Sequence, residues 1–150
     1  MSEGPGAALT QALRPFHLAL PVHDLAQAQA FYGELLGCAC GRASARWLDF
    51  DFFGHQLTVH LTDTPASPAS TNPVDGEQVP ASHFGVILTI PAWDALAARL
   101  TAAGTAFLIA PTTRFAGSTG EQRTMFFRDP SGNPLEFKAF ADDRQIFATD

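Results

Sequence analysis

Apolar and polar residues alternate in several short runs of this 150-residue chain, and two longer stretches show the three- to four-residue apolar spacing of a helix. The alternating runs are bounded by Pro, Gly or Asp and predict strands. The first helical stretch begins after Asp24, a plausible N-cap, and ends at Gly37, a residue typical of helix ends. The second covers Trp93 to Ala103 and ends at Gly104. The pattern predicts an α+β fold.

The predicted elements follow the order β-α-β-β-β twice, in module one (15–62) and module two (83–140). Strands are predicted at 16–22, 47–52 and 57–61, then at 83–90, 106–110 and in a hairpin over 124–140. We expect the two modules to pair into one curved, open, barrel-like sheet with the helices outside. The chain length suits such a single domain.

Three segments lie outside these modules. Residues 1–14 are rich in Gly, Ala and Pro without a period, which predicts a flexible N-terminal tail. Residues 63–82 contain four prolines among Ser, Thr and Asp, which predicts a linker or a pocket lid. Residues 141–150 form a C-terminal extension.

Composition narrows the classes of partner. The 13 Phe, against one Tyr and two Trp, belong in a core or an apolar pocket. A net charge of -6 argues against nucleic acid as a partner. No run approaches the roughly 18 apolar residues of a membrane span, and no signal-peptide pattern opens the chain, so we expect a cytoplasmic protein without membrane contact. Cys38 and Cys40 are predicted to be free thiols.

Four polar residues interrupt apolar runs in the predicted strands: His17, His60, His83 and Glu136. Because side chains alternate across a strand, each points away from its apolar neighbours. His17 and His83 open equivalent strands, and His60 is aligned with Glu136. A carboxylate buried alone costs several kcal/mol, a cost that a cation removes. Two imidazoles and one carboxylate suit Fe(II) or Mn(II) and leave positions free, so we predict a metal site of His17, His83 and Glu136.

A simpler interpretation exists for each of these residues. A single His in a strand is more often a hydrogen-bonded core or surface residue than a ligand. Repetition at equivalent positions favours the metal site. For His60 three roles stay open, namely a fourth ligand, a proton-transfer group or a structural donor.

Two motifs are more specific than these patterns. The first helix contains Phe31-Tyr32-x-x-Leu35-Leu36-Gly37, and the closing hairpin contains Phe126-Phe127-x-Asp129-Pro130-Ser131-Gly132-Asn133-x-x-Glu136. With the β-α-β-β-β repeat, they resemble the vicinal oxygen chelate superfamily of glyoxalase I, extradiol dioxygenases and bleomycin-resistance proteins, over about residues 15–140. The Asp-Pro-Ser-Gly-Asn turn fixes where the next strand delivers its Glu.

The resemblance is closest to the extradiol-dioxygenase-like branch and implies an oxidoreductase. It makes His17, His83 and Glu136 the Fe(II) ligands, and the substrate a catechol-like small molecule with vicinal oxygens that reacts with O2. His55, in a Gly-x-Gln-Leu turn, resembles an acid-base histidine of those enzymes. His60 matches the strand position where glyoxalase I has an additional ligand. His60 or His55 would exchange the phenolic proton.

Three further residues are candidates for substrate contacts. Arg114 and Arg123 flank a Gly-rich loop, where an arginine can hold a carboxylate or phenolate through two hydrogen bonds. The simpler interpretation is that both are solvated loop residues. Phe126 is predicted to lie on the same face of its strand as the position opposite Glu136, and therefore to face the pocket.

Two other functions stay open. In a glyoxalase- or isomerase-type enzyme, all four polar positions hold Zn, Ni or Co and the metal stabilises an enediolate. In a metal-free binding protein, as in the bleomycin-resistance members, the pocket sequesters an apolar compound. Whichever function applies, a twice-repeated module with an open sheet edge predicts a homodimer.

Overall fold

A computed structural model describes residues 13–64 and 70–149 of the chain. The predicted tail lies outside these residues except for 13 and 14, and residues 65–69 of the predicted linker also lie outside them. None of the described helices is long and apolar enough to cross a membrane.

Module one is a four-stranded sheet with one helix. Its elements are β1 (His17–Val22), α1 (Leu25–Ala28, continued by a π-helical segment, Gln29–Leu35), β2 (Cys40–Ala43), β3 (Trp47–Phe52) and β4 (His55–Leu61). The strand order is β1-β4-β3-β2, with β1 parallel to β4. The Asp24 side chain accepts a hydrogen bond from the Gln27 amide at 2.9 Å, and Gly37 has a φ of 77°, as the predicted helix ends require.

The segment between the modules contains a hairpin of β5 (Thr71–Val74) and β6 (Glu77–Pro80). Its turn is Asp75-Gly76, and both residues have positive φ, which suits a tight hairpin. Val79 is buried against Ile109 and Phe126 of module two. The hairpin therefore covers one end of the module two sheet.

Module two repeats the plan of module one. Its elements are an extended segment (84–88), α2 (Ile90–Ala102), β7 (Ile109–Arg114), β8 (Gln122–Arg128) and β9 (Pro134–Phe140). The extended segment runs parallel to β9, as β1 does to β4. The helix begins earlier than predicted because the Thr89 side chain caps it and Pro91 fits its first turn. β7 lies later than the predicted strand at 106–110.

The modules share one hydrophobic core, which includes Phe52 and Phe137, and the half-buried Phe84 packs against it. The ring of Phe52 lies 5.5 Å from that of Phe84 and 5.9 Å from that of Phe137. The described strands form separate four-, three- and two-stranded sheets. The α+β class is confirmed, but the predicted continuous barrel-like sheet is not seen, because each module pairs its first strand with its own closing strand and the modules meet through side chains.

A buried carboxylate ties the β8–β9 turn to module one. Asp129 Oδ2 accepts hydrogen bonds from the Tyr32 hydroxyl and from Asn133 Nδ2, both at 2.8 Å. Its Oδ1 accepts from the amides of Ser131 and Asn133. Asn133 Nδ2 also donates to the Pro21 carbonyl at 2.9 Å. These contacts fix where β9 begins relative to the first module.

Removal of the Tyr32 hydroxyl should destabilise the whole domain. Tyr32→Phe keeps the buried ring and leaves Asp129 with one hydrogen bond fewer, at a cost of about 1–3 kcal/mol. Urea unfolding followed by circular dichroism measures this difference. An unchanged free energy of unfolding would contradict the role of this contact between modules.

Candidate metal centre

His83 and Glu136 face each other on module two. His83 Nε2 lies 3.3 Å from Glu136 Oε1, and the two side chains are 28% and 6% exposed. His83 Nδ1 lies 2.6 Å from the Pro80 carbonyl oxygen, so Nδ1 donates its proton there. The contact fixes the ring so that Nε2 points at the carboxylate. A carbonyl that holds the second nitrogen in this way is typical of histidine ligands.

Two neighbours hold the Glu136 carboxylate in place. The Thr124 hydroxyl donates a hydrogen bond to Oε2, and Lys138 Nζ lies 3.9 Å from Oε1. Gly85 lies against the backbone of Glu136, and a Cβ there would come within 1.5 Å of the Glu136 carbonyl oxygen. Only glycine allows the extended segment to approach β9 so closely.

The pair perturbs both pKa values in the metal-free protein. The hydrogen bond to Glu136 raises the pKa of His83, with a smaller contribution from the Pro80 carbonyl, although burial acts against it. Burial acts to raise the pKa of Glu136, but the hydrogen bonds from His83 and Thr124 and the charge of Lys138 lower it overall. Each group therefore stabilises the charged form of the other.

The pair also fits two ligands of one cation. Ligand atoms about 2.0–2.2 Å from a shared metal, at right to tetrahedral angles, lie about 2.8–3.6 Å apart. The observed 3.3 Å falls within that span and exceeds the roughly 2.7–2.9 Å of a tight charged hydrogen bond. An imidazole and a carboxylate are suitable donors for Fe(II), Mn(II) and Zn(II).

Phe126 forms a wall of this site. It is the register partner of Glu136 and therefore shares its face of the sheet. Its ring is buried and lies edge-to-face with His83 at 4.9 Å between centroids. The face of Phe126 predicted from strand parity agrees with this position.

His17 does not join the pair. It is exposed at the start of β1, in the separate sheet of module one. Within 13–64 and 70–149, no group of three or more His, Cys, Asp or Glu side chains is placed to hold a metal. Within the described chain His17 therefore does not join His83 and Glu136, since the sheets of the two modules are not continuous, and the metal site of all three residues stays a prediction.

The register also corrects the alignment of His60 with Glu136. Ala19 lies opposite Thr58 in module one, whereas Gly85 lies against Glu136 in module two. Thr58, buried and hydrogen-bonded to Asp49, is thus the counterpart of Glu136. His60 lies two residues later, is exposed, and corresponds to Lys138.

Two other candidates have structural partners. His55 Nδ1 accepts a hydrogen bond from the Phe16 amide at 2.8 Å, and His55 lines an apolar cavity of about 220 Å³ between the modules. Arg123 pairs with Asp94 and lies over the ring of Trp93, 5.9 Å from its centroid. Both Asp94 and Trp93 belong to α2, so Arg123 lies on the opposite face of the sheet from Glu136.

Thr124 and Lys138 are contacts that the sequence interpretation missed. Each lies two residues along its strand from a candidate site residue, Thr124 from Phe126 and Lys138 from Glu136. Residues two apart on a strand share a face. The alternation that predicted the orientation of Phe126 could therefore also have predicted that Thr124 and Lys138 face the site.

The profile of the Glyoxalase/Bleomycin resistance protein/Dioxygenase superfamily matches residues 14–137. The chain belongs to this superfamily. A crystal structure of a glyoxalase/bleomycin resistance protein/dioxygenase from Alicyclobacillus acidocaldarius is 36% identical, with a TM-score of 0.76, over 89% of this chain and 96% of that one. The virulence protein STM3117 of Salmonella typhimurium is 26% identical over 83% of this chain and 82% of its own length.

A lactoylglutathione lyase structure from Agrobacterium tumefaciens, 20% identical with a TM-score of 0.60, covers 85% of this chain and 92% of its own and shares the fold alone. The superfamily predicted from the sequence is confirmed. Its members bind small molecules, commonly use divalent metals and are mostly enzymes. The extradiol-dioxygenase-like branch stays a prediction.

Removal of the His83 imidazole should destabilise the metal-free protein most at mildly acidic pH. The pKa of His83 is raised, so its contribution is complete below its ordinary value of 6.5 and is lost as the pH rises through the folded value. The pKa of Glu136 is lowered, so its contribution is present above its ordinary 4.5 and is lost as the pH falls. In EDTA, the Tm difference between wild type and His83→Gln should be larger at about pH 6 than at about pH 9. Equal differences at both values would contradict the ion pair.

Proposed function

We propose that this protein is a metal-dependent oxidoreductase that resembles extradiol dioxygenases and acts on a small molecule with vicinal oxygens, together with O2. The observation that carries the proposal is the His83–Glu136 pair, whose donor atoms face each other at 3.3 Å. A histidine held by a carbonyl and a carboxylate held by a hydroxyl are both oriented before any ligand binds.

The remaining donors come, in this proposal, from a second copy of the chain. His17 and His60 are exposed on the sheet of module one, and the pair on module two is open at His83. In such a homodimer, module one of each copy lies against module two of the other. His17 of one copy then joins His83 and Glu136 of the other, and symmetry repeats this site once. His60 then lies within the same interface.

Fe(II), when bound to these residues, supplies Lewis acidity toward the two substrate oxygens and redox chemistry toward dioxygen. Mn(II), Zn(II) and Ni(II) are alternatives for the same donors. The protein residues do the rest. The Pro80 carbonyl fixes the tautomer of His83, Thr124 and Lys138 hold the Glu136 carboxylate, and the ring of Phe126 forms an apolar wall that excludes water.

Proton transfer to and from the substrate is assigned to His60 or His55. His60 is the better candidate, because it is exposed on the face that bears His17. The Nδ1 of His55 already accepts a hydrogen bond from the Phe16 amide, which leaves only its Nε2 available. An imidazole near neutral pH suits this exchange in either case.

A glyoxalase- or isomerase-type reaction is the second candidate. Phe126 lies ten residues before Glu136, where the extradiol enzymes have a tyrosine, and its ring offers no hydroxyl to a ring-cleavage reaction. In this alternative His60 becomes the fourth ligand, and Zn, Ni or Co is preferred over iron. The metal preference of the protein therefore distinguishes the two reactions.

His83→Ala should abolish metal retention together with any activity. The variant loses one of two preorganised donors, so the metal content per chain after desalting should fall by about tenfold or more. Protein purified anaerobically and loaded with Fe(II), Mn(II), Ni(II), Co(II) or Zn(II) is measured by mass spectrometry of the metals. Oxygen uptake with catechol then tests the dioxygenase reaction directly.

The matched control is His23→Ala, which removes an exposed histidine whose Nδ1 lies 2.9 Å from the Ser131 hydroxyl, outside the site. This variant should keep wild-type metal content. Stoichiometric iron in His83→Ala would refute the ligand assignment. Wild-type protein that retains none of the five metals would instead favour the metal-free binding protein.

A mixture of two inactive variants should regain part of the metal binding if two copies share each site. Co-refolding equal amounts of His17→Ala and His83→Ala yields half mixed dimers, each with one intact site of two, so about a quarter of the wild-type metal content should return. Each variant refolded alone should bind none. No recovery in the mixture would place all ligands within one chain.

A further inference from the structure

Arg114 is a buried residue, and two of its guanidinium nitrogens have no hydrogen-bond partner in the described part of the chain. Only 5% of the residue is exposed, and its Nε and Nη2 contact no acceptor among the described residues. A guanidinium stays protonated in proteins, so this is a permanent buried positive charge. An unpaired buried charge is strongly destabilising unless something compensates it. The ring of Phe126, 5.5 Å from Cζ, compensates only part of that cost.

The two unpartnered nitrogens form one edge of the guanidinium. The N–H bonds of Nε and Nη2 point in nearly the same direction, which matches the two oxygens of a carboxylate or phosphate held side-on. An arginine that merely lacked a surface partner would not leave this edge empty inside the protein. This pair of donors, unpartnered among the described residues, matches an anionic ligand with two oxygens on one atom.

The arginine also lies beside the candidate metal centre. Phe126 is contacted by Arg114 on one side and by His83, at 4.9 Å between ring centroids, on another. Val79 of the β5–β6 hairpin and Ile109 of β7 pack on the same ring. The guanidinium and the His83 imidazole therefore flank the same ring, on the face of the sheet that also bears Glu136.

We propose that Arg114 binds the carboxylate of the substrate, so that the substrates of this protein are carboxylic acids that bear the vicinal oxygens at another position. The vicinal oxygens in this description rest on the proposed function, whereas the carboxylate does not. A carboxylate is favoured over a phosphate because Arg114 is buried against the ring of Phe126, and a doubly charged, strongly hydrated anion loses more on burial.

The test compares benzoate with its neutral isostere benzamide as probes of the full-length protein in EDTA. Titrations followed by NMR give the Kd of each compound for wild type, Arg114→Met and Arg123→Met. Wild type should bind benzoate at least about tenfold more tightly than benzamide, and Arg114→Met should lose this preference. Arg123→Met, which removes an arginine paired with Asp94, should keep it.

Thermal unfolding without ligand separates a binding role from a structural one. Met fills a similar volume without a charge, so Arg114→Met should unfold at the same temperature as wild type or higher. Benzoate should raise the Tm of wild type and leave that of Arg114→Met unchanged. A Tm several degrees lower in the unliganded variant would overturn the proposal, since it would show that Arg114 already has a stabilising partner.

Two further outcomes would overturn the proposal. One is equal affinity of wild type for benzoate and benzamide, and the other is tighter binding of inorganic phosphate than of benzoate. Because every measurement is made in EDTA, these results do not depend on the metal. A protein that binds benzoate through Arg114 but retains no metal would contradict the proposed function and leave the carboxylate site standing.

Discussion

The Asp129 carboxylate is the contact on which the geometry of the candidate site depends. It accepts hydrogen bonds from the Tyr32 hydroxyl of the module one helix and from three donors of its own turn. Asn133 of that turn also donates a hydrogen bond to the end of β1. The turn leads directly into β9, so the same contacts set the register in which Glu136 is delivered. Because Asp129 is buried and fully hydrogen-bonded, the turn has little freedom to shift without leaving a charge unpaired.

The sequence predicted the elements of the fold well where local chemistry decides them. Asp24 and Gly37 bound the first helix as their types require, and the alternation at Trp47–Phe52 located β3 at both ends. The Asp-Pro-Ser-Gly-Asn turn also lies where its motif indicated. These features depend on residues close in the chain, which a pattern can capture.

The pairing of distant strands was harder to predict, and this is why the predicted alignment of His60 with Glu136 was wrong. Alternation fixes which face a residue takes but not its position along the partner strand, so a shift of two residues preserves every face. His60 and Thr58 therefore fit the pattern equally well as counterparts of Glu136. The structure selects Thr58, because β4 begins at His55, directly after the Phe53-Gly54 turn.

The two modules repeat the scaffold and not the chemistry of their faces. In module one, the position equivalent to Glu136 bears the Thr58 hydroxyl, which donates to the buried Asp49. In module two, Thr124 donates to Glu136 and turns the other carboxylate oxygen toward His83. The proposed metal donors are thus divided unequally within one chain, with His17 on module one and both His83 and Glu136 on module two. The proposed homodimer would bring the donors of the two modules together at each symmetric site.

Two buried charges of module two, those of Glu136 and Arg114, differ in the partners that the protein gives them. Glu136 is buried with an imidazole, a hydroxyl and an ammonium group around it. Arg114 is equally buried, yet its Nε and Nη2 have no hydrogen-bond partner in the described chain, and its Cζ lies over the ring of Phe126. A fold that needed Arg114 for stability alone would supply it with an acceptor, as it does for Arg123 through Asp94. The acceptor that Arg114 lacks is therefore best understood as part of the molecule that the site binds.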